Sequence, residues 1–157
     1  MKYLNRLVYI CLIALCSCGD ESEVYSSFKD VPDEVWNWDN PSQFEFTISN
    51  NQVTYNQHIN LRLTENYPKS NIYVQSQMVT PKGDTLKQLH NFLLFSKEGV
   101  SLGNKSGKLL NYSFDIAANK PLEKGTYRLT IIQHTRVFEL AGVNAVGFSV
   151  SQGDPVF

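Results

Sequence analysis

Cysteine is confined to the first 18 residues of this 157-residue chain, at Cys11, Cys16 and Cys18. The body that follows therefore has no internal disulfide, no thiolate metal site and no cysteine nucleophile. Excess positive charge is missing too: 14 Lys and Arg stand against 15 Asp and Glu, for a net charge of −1. Phosphate backbones are held by clustered bases, and no basic stripe is present, so nucleic acid is excluded as a partner. The apolar run over 7–15 has nine residues, where a membrane-spanning helix needs about 20. Catalytic signatures are also lacking. No glycine-rich loop ends in Gly-Lys-Ser/Thr, and no Gly-x-Ser-x-Gly turn occurs. His58, His90 and His134 fall on different predicted elements, without the close spacing of metal ligands. Asp84, Glu98 and Asp115 are equally scattered. Asp33, Glu34, Asp39 and Asn40 are the densest oxygen group but lack the spacing of a calcium loop. The sequence thus assigns no catalytic residue, no metal and no cofactor, and it does not read as an enzyme.

What is present begins with a leader. Lys2 and Arg6 precede the apolar run, as in a signal peptide. The run ends in Leu15-Cys16-Ser17-Cys18, which resembles a bacterial lipobox with Leu15 at −3, Ser17 at −1 and Cys18 at +1. Cleavage before Cys16 would leave Leu15 at −1, where a small residue is wanted, so Cys18 is the expected lipidation site. A diacylglycerol and a further acyl chain, of the palmitate class, would anchor it. Each buried methylene adds about 0.8 kcal/mol, and several chains together hold stably where one does not. Asp20, Glu21 and Glu23 follow closely. There is no Asp at +2 to act as an inner-membrane retention signal. The acidic run resembles the surface-export signal of Bacteroidota lipoproteins, and equally suits a solvated tether. The expected location is the outer membrane, with the periplasmic and the surface face both open.

The rest of the chain carries period-two alternation. Hydrophobic residues make up 42% and charged residues 18%, enough apolar content for one domain with a core. Phe44, Phe46 and Ile48 alternate with polar residues, as do Ile59, Leu61 and Leu63, and the segment 72–79 does the same. Pro81 and Gly83 mark a tight turn. The stretch 86–95 is mixed and reads as strand, and 96–108, with Gly99, Gly103 and Gly107, as a long surface loop. Strands follow over 110–116, 126–134 and 143–150, with Tyr127, Leu129 and Ile131 facing inward. Seven or eight short strands and no long helical pattern predict an all-β antiparallel sandwich. The organisation expected is a signal peptide over 1–17, a lipidated cysteine and flexible tether over 18–30, a sandwich over 31–151 and a frayed tail over 152–157.

Trp36 and Trp38 stand two positions apart between Pro32 and Pro41. They either cap one end of the core or, with Tyr67 and Tyr73, form an exposed aromatic patch for a partner. Three classes of function fit: an envelope accessory protein that binds another protein, a surface glycan-binding module using the same rings, and a hydrolase with two acids in a cleft.

Taken together, the segments resemble the gliding motility lipoprotein GldH family of Bacteroidota. The resemblance rests on the lipobox, then Val31-Pro32-Asp33-x-x-Trp36, Phe44-x-Phe46-x-Ile48 and Tyr55-Asn56-x-x-Ile59-Asn60-Leu61-Arg62. It continues through Asn66-Tyr67-Pro68-x-Ser70-Asn71-Ile72, the hairpin at Pro81 and Gly83, Lys124-Gly125-Thr126-Tyr127 and Val143-x-x-Val146-Gly147. It covers roughly 18–150, and Tyr67-Pro68-x-Ser70-Asn71 is its most specific part. Two departures occur: the glycine loop lacks a tryptophan after its first glycine, and 133–142 is less acidic than the pattern. The resemblance implies an outer-membrane-associated lipoprotein of the gliding machinery, working with the type IX secretion apparatus and other gliding lipoproteins. It implies no catalytic residue.

Asp84-Thr85-Leu86 resembles the Asp-Ser/Thr-aliphatic signal for O-glycosylation in Bacteroidota envelope proteins. Intact mass spectrometry of the lipid-cleaved domain from native cells is expected to show a glycan that disappears in Thr85→Ala. A mass equal to that of the unglycosylated polypeptide would exclude it.

Overall fold

Alternation becomes strand throughout the computed structural model, which describes residues 22–156. Eleven strands follow in order: β1 (Glu23–Asp30), β2 (Val35–Asn37), β3 (Ser42–Ile48), β4 (Val53–Thr64), β5 (Asn71–Val79), β6 (Thr85–Leu93), β7 (Asn104–Ser106), β8 (Leu109–Pro121), β9 (Gly125–Gln133), β10 (Glu139–Ala141) and β11 (Val143–Pro155). The one helical piece among the described residues is a 3₁₀ turn at Pro32–Glu34. Two antiparallel sheets face each other, ordered β1-β11-β4-β8-β7 and β3-β9-β5-β6, and β2 and β10 form a separate ribbon. The protein is an antiparallel β-sandwich.

Each inner face is the apolar half of an alternating strand. β3 alternates without a break, burying Phe44, Phe46 and Ile48. Ile59, Leu61 and Leu63 of β4 and Val146, Phe148 and Val150 of β11 are fully buried opposite them. The sheets are joined by aromatic contacts. Phe148 lies 5.4 Å from Phe46 and 6.1 Å from Phe44, and within its own sheet Phe46 stacks on Tyr127 at 5.2 Å. At the far side, Phe92 of β6 stacks on Phe114 of β8 at 4.1 Å. His90, next inward on β6, is buried against Phe92 and meets Ser76 Oγ at 2.9 Å. Its desolvation holds the imidazole below its ordinary pKa, in the neutral form.

Three expectations need correction. The tether expected over 18–30 is strand from Glu23 onward. β1 pairs with β11 from Glu23↔Ser151 to Asp30↔Ala145, with a register shift between Glu23 and Tyr25. That shift and its position at a sheet edge hide its alternation. Tyr25 turns inward to Phe46 and Phe148, and Phe28 covers Gly147 from outside, where any Cβ would meet the ring at 2.6 Å. Arg62 completes the clamp, its guanidinium 3.9 Å from the Phe28 ring centroid. The tail expected over 152–157 is also strand as far as Pro155, because β4 starts at Val53 and pairs with it there. Thirdly, the loop expected over 96–108 contains β7, which pairs with β8. The leader, including Cys18, lies outside the described residues.

Phe148 touches three rings from two other strands and is fully buried. Phe148→Ala is expected to cost about 3–5 kcal/mol, read as a lower denaturation midpoint in urea.

Candidate functional site

The sandwich has two ends of different character. β1 starts beside the C-terminal part of β11, so the chain arrives from its leader at the end that also carries the turns at 49–52, 80–84 and 122–124. The opposite end carries the connections 31–41, 65–70, 94–108 and 134–142. Most exposed apolar side chains gather at that second end: Trp38, Tyr73, Leu93, Val100, Leu102, Val137 and Phe138. Leu86 and Val156 are the exposed ones at the first.

A buried glutamine shapes the centre of this apolar end. Gln133 closes β9 and is 1% exposed. Its amide nitrogen donates to the carbonyls of Val137 (2.8 Å) and Phe138 (3.3 Å), and its oxygen accepts from the Thr135 N–H at 3.0 Å. The His134 N–H donates to the Tyr73 carbonyl at 2.8 Å. One side chain thus moulds the 134–138 loop around itself and turns His134, Arg136, Val137 and Phe138 outward.

The neighbouring loop is stapled in a similar way. Tyr67 is buried, and its hydroxyl donates to the Asn71 carbonyl at 3.0 Å, closing a short loop that presents Lys69. The Ser70 carbonyl accepts from Leu94 and Phe95. Burial pushes the Tyr67 phenol far above its ordinary pKa, so it stays a donor. Gly142 lets the two loops meet. Its φ is +84°, and a Cβ there would lie 2.7 Å from Tyr67 Cα.

Two clefts open on either side of residues 134–136. The larger, about 610 Å³, is lined by Lys69, Asn71, Tyr73, Leu89, His134, Thr135 and Arg136. The smaller, about 350 Å³, is lined by Trp38, Gln133, His134, Thr135, Arg136, Val137 and Phe138. Trp38 and Phe138 meet edge to face at 6.2 Å and 66°, and both are more than half exposed. The ribbon sets this pair, because Asn37↔Glu139 is its last rung and Trp38 follows directly. No acid lines either cleft. Glu65, the acid on the connection before Lys69, is already bound to Lys105, which holds its carboxyl below the usual range.

The four aromatics expected to face a partner divide. Trp38 and Tyr73 are exposed at this end. Trp36 and Tyr67 are buried, at 2% and 6% exposure, which corrects their assignment to an exposed patch. Trp36 sits within β2 opposite buried Leu140, and its indole N–H donates to the Asn40 carbonyl at 3.2 Å. β2 ends at Asn37, so the period of two does not carry on to Trp38. Sequence reasoning missed Lys69, His134, Arg136 and Phe138. The available sign was the break in alternation after Gln133, where a base stands among apolar residues. Thr85 is exposed as the first residue of β6, on the tight turn with Gly83, at the end where β1 begins. His58 pairs with Asp115 at 2.9 Å. Among the described residues no three His, Cys, Asp or Glu gather as a metal site, and no helix is long and apolar enough to cross a membrane.

The fold and this end define a β-sandwich module that offers one apolar, cation-bearing surface. Residues 23–150 match the GldH lipoprotein family, and the chain belongs to it. Membership makes it a lipid-anchored envelope protein. It is 29% identical to the gliding motility lipoprotein GldH of Flavobacterium johnsoniae, over 96% of this chain and 97% of that one. It is 24% identical to the GldH homolog of Christiangramia forsetii, over 94% of each chain. Among solved structures, a carbohydrate-binding module specific for non-crystalline cellulose aligns over 87% of this chain and 78% of its own, at 11% identity and a TM-score of 0.46. That likeness is too loose to carry a ligand across.

Gln133→Ala would strand the Thr135 N–H and the Val137 and Phe138 carbonyls. The expected cost is about 1–3 kcal/mol, with a red shift and loss of Trp38 emission as Phe138 moves away. Fluorescence-monitored denaturation reads both.

Proposed function

We propose that this lipoprotein supports gliding motility and the associated type IX secretion machinery by binding other envelope proteins, and that it acts by contact rather than by catalysis. Diacylglycerol and acyl chains on Cys18 fix it to the outer membrane. The observation that carries the reading is the crowding of exposed apolar side chains at the end opposite the start of β1. Glu23 lies five positions after Cys18, and an extended chain covers at most about 3.6 Å per residue, so the anchor reaches roughly 18 Å. β1 is eight residues long, about 26 Å as strand. The anchored sandwich therefore stands close to the bilayer and holds the Trp38 end away from it. Thr85 would carry its sugar at the membrane-side end, clear of the binding end.

A glycan-binding reading uses the same rings but wants them coplanar, beside carboxylates. Trp38 and Phe138 stand at 66° to each other, and no acid lines the clefts. An edge-to-face aromatic pair in an apolar notch is a better anchor point for protein.

Crosslinking and pull-down from native membranes tests this. Cys18→Ala is expected to release the protein from the membrane. Trp38→Ala combined with Phe138→Ala is expected to leave it anchored and folded, but to lose its partners and slow spreading on agar. An unchanged set of partners and normal spreading in that double variant would refute the reading.

A further inference from the structure

We propose that the paired clefts around Arg136 take an acidic, aromatic-bearing segment of the partner protein. The proposal rests on the protein-binding function above and gives the partner its chemistry. Lys69 and Arg136 line the larger cleft with His134, and Arg136 also lines the smaller one. Neither Lys69 nor Arg136 makes an ion pair or side-chain hydrogen bond among the described residues. Lys82, Lys105 and Arg128 are each bound to a glutamate; other lysines among the described residues are also unpaired, and what sets Lys69 and Arg136 apart is their place on apolar clefts that no acid lines. Bases without acids beside apolar notches complement a chain that alternates carboxylates with apolar side chains. Arg136 offers a planar fork that pairs with a carboxylate through two hydrogen bonds. Trp38 and Phe138 offer an edge-to-face notch for a ring or a large aliphatic group. Both clefts fall in the range of recognition pockets, about 300–1,000 Å³.

The chain's own acidic run is not the occupant. Glu23 opens β1 at the other end of the sandwich, a strand length away from the clefts, and Glu21 and Asp20 precede it in sequence by only two and three residues. An anionic sugar would satisfy Lys69 and Arg136, but it would leave the notch formed by Val137, Phe138 and Trp38 facing water. A peptide fills both.

The test uses the full lipidated protein in its own cells, with Leu89 replaced by the photo-reactive residue p-benzoylphenylalanine. Leu89 is exposed and lines the larger cleft without carrying charge. Mass spectrometry reads the sequence of the crosslinked peptide. The expected result is a net-negative segment with an aromatic residue among its acids. Lys69→Glu with Arg136→Glu should cut its yield at least tenfold, with an unchanged melting temperature, since both side chains are exposed. A crosslink to a neutral or basic segment, to a glycolipid, or to a second copy of this chain would overturn the acidic-segment proposal. So would a yield unaffected by the charge reversal, and in that case the protein-binding function would stand. No crosslink to any protein from this position would overturn both.

Discussion

The pairing of β11 with β4 at the middle of the larger sheet is the constraint on which the rest depends. Both strands are buried on the face that meets the other sheet, and their register puts Phe148 opposite Ile59. Phe148 then meets Phe44, Phe46 and Tyr25, which ties β3 and β1 to the same centre. With no disulfide available to the described residues, burial of this aromatic and aliphatic layer has to outweigh the entropy of ordering the chain. The register also reaches both ends of the molecule. At one it extends β11 to Pro155, and at the other it brings Gly142 against the Tyr67 backbone.

That second contact builds the apolar end. Connections between strands are irregular, and their polar backbone groups need partners. Here the partners are buried side chains. Tyr67 closes the loop that carries Lys69, Gln133 closes the loop that carries Arg136 and Phe138, and the β2–β10 ribbon brings Trp38 to Phe138. The exposed groups are therefore held by side chains buried beneath them. A rigid surface of this kind loses less side-chain freedom on binding, which leaves more of the contact energy as affinity.

β1 changes how the anchor works. With a tether of about a dozen residues, the domain would swing freely and any face could meet a partner. The clamp of Phe28, Gly147 and Arg62, with Tyr25 on the inner side, locks β1 from Glu23 on. On the proposed anchoring at Cys18, the few residues before Glu23 would hold the start of β1 near the lipid and point the Trp38 end away from it. The start of β1 and the exposed Trp38 and Phe138 lie at opposite ends of the same two sheets.

The sequence by itself determined the class of the fold and the kind of protein. Alternation in 44–48, 59–64, 72–79 and 126–134 is a local property with a period of two, and it is legible without a partner strand. The family resemblance, carried by Tyr67-Pro68-x-Ser70-Asn71 and the segments around it, was legible in the same way. The tertiary structure decided the remainder. β1 and the end of β11 have weak alternation of their own and are strands because β11 and β4 offer them hydrogen-bonding edges. Trp36 and Trp38 are chemically alike and two positions apart, and only the end of β2 at Asn37 buries one and exposes the other. Lys69, Tyr73, Arg136 and Phe138 belong to separate stretches of chain. They share a surface because β5 and β9 are paired neighbours, with Val74 opposite Gln133, and that register is a property of two sheets folded together.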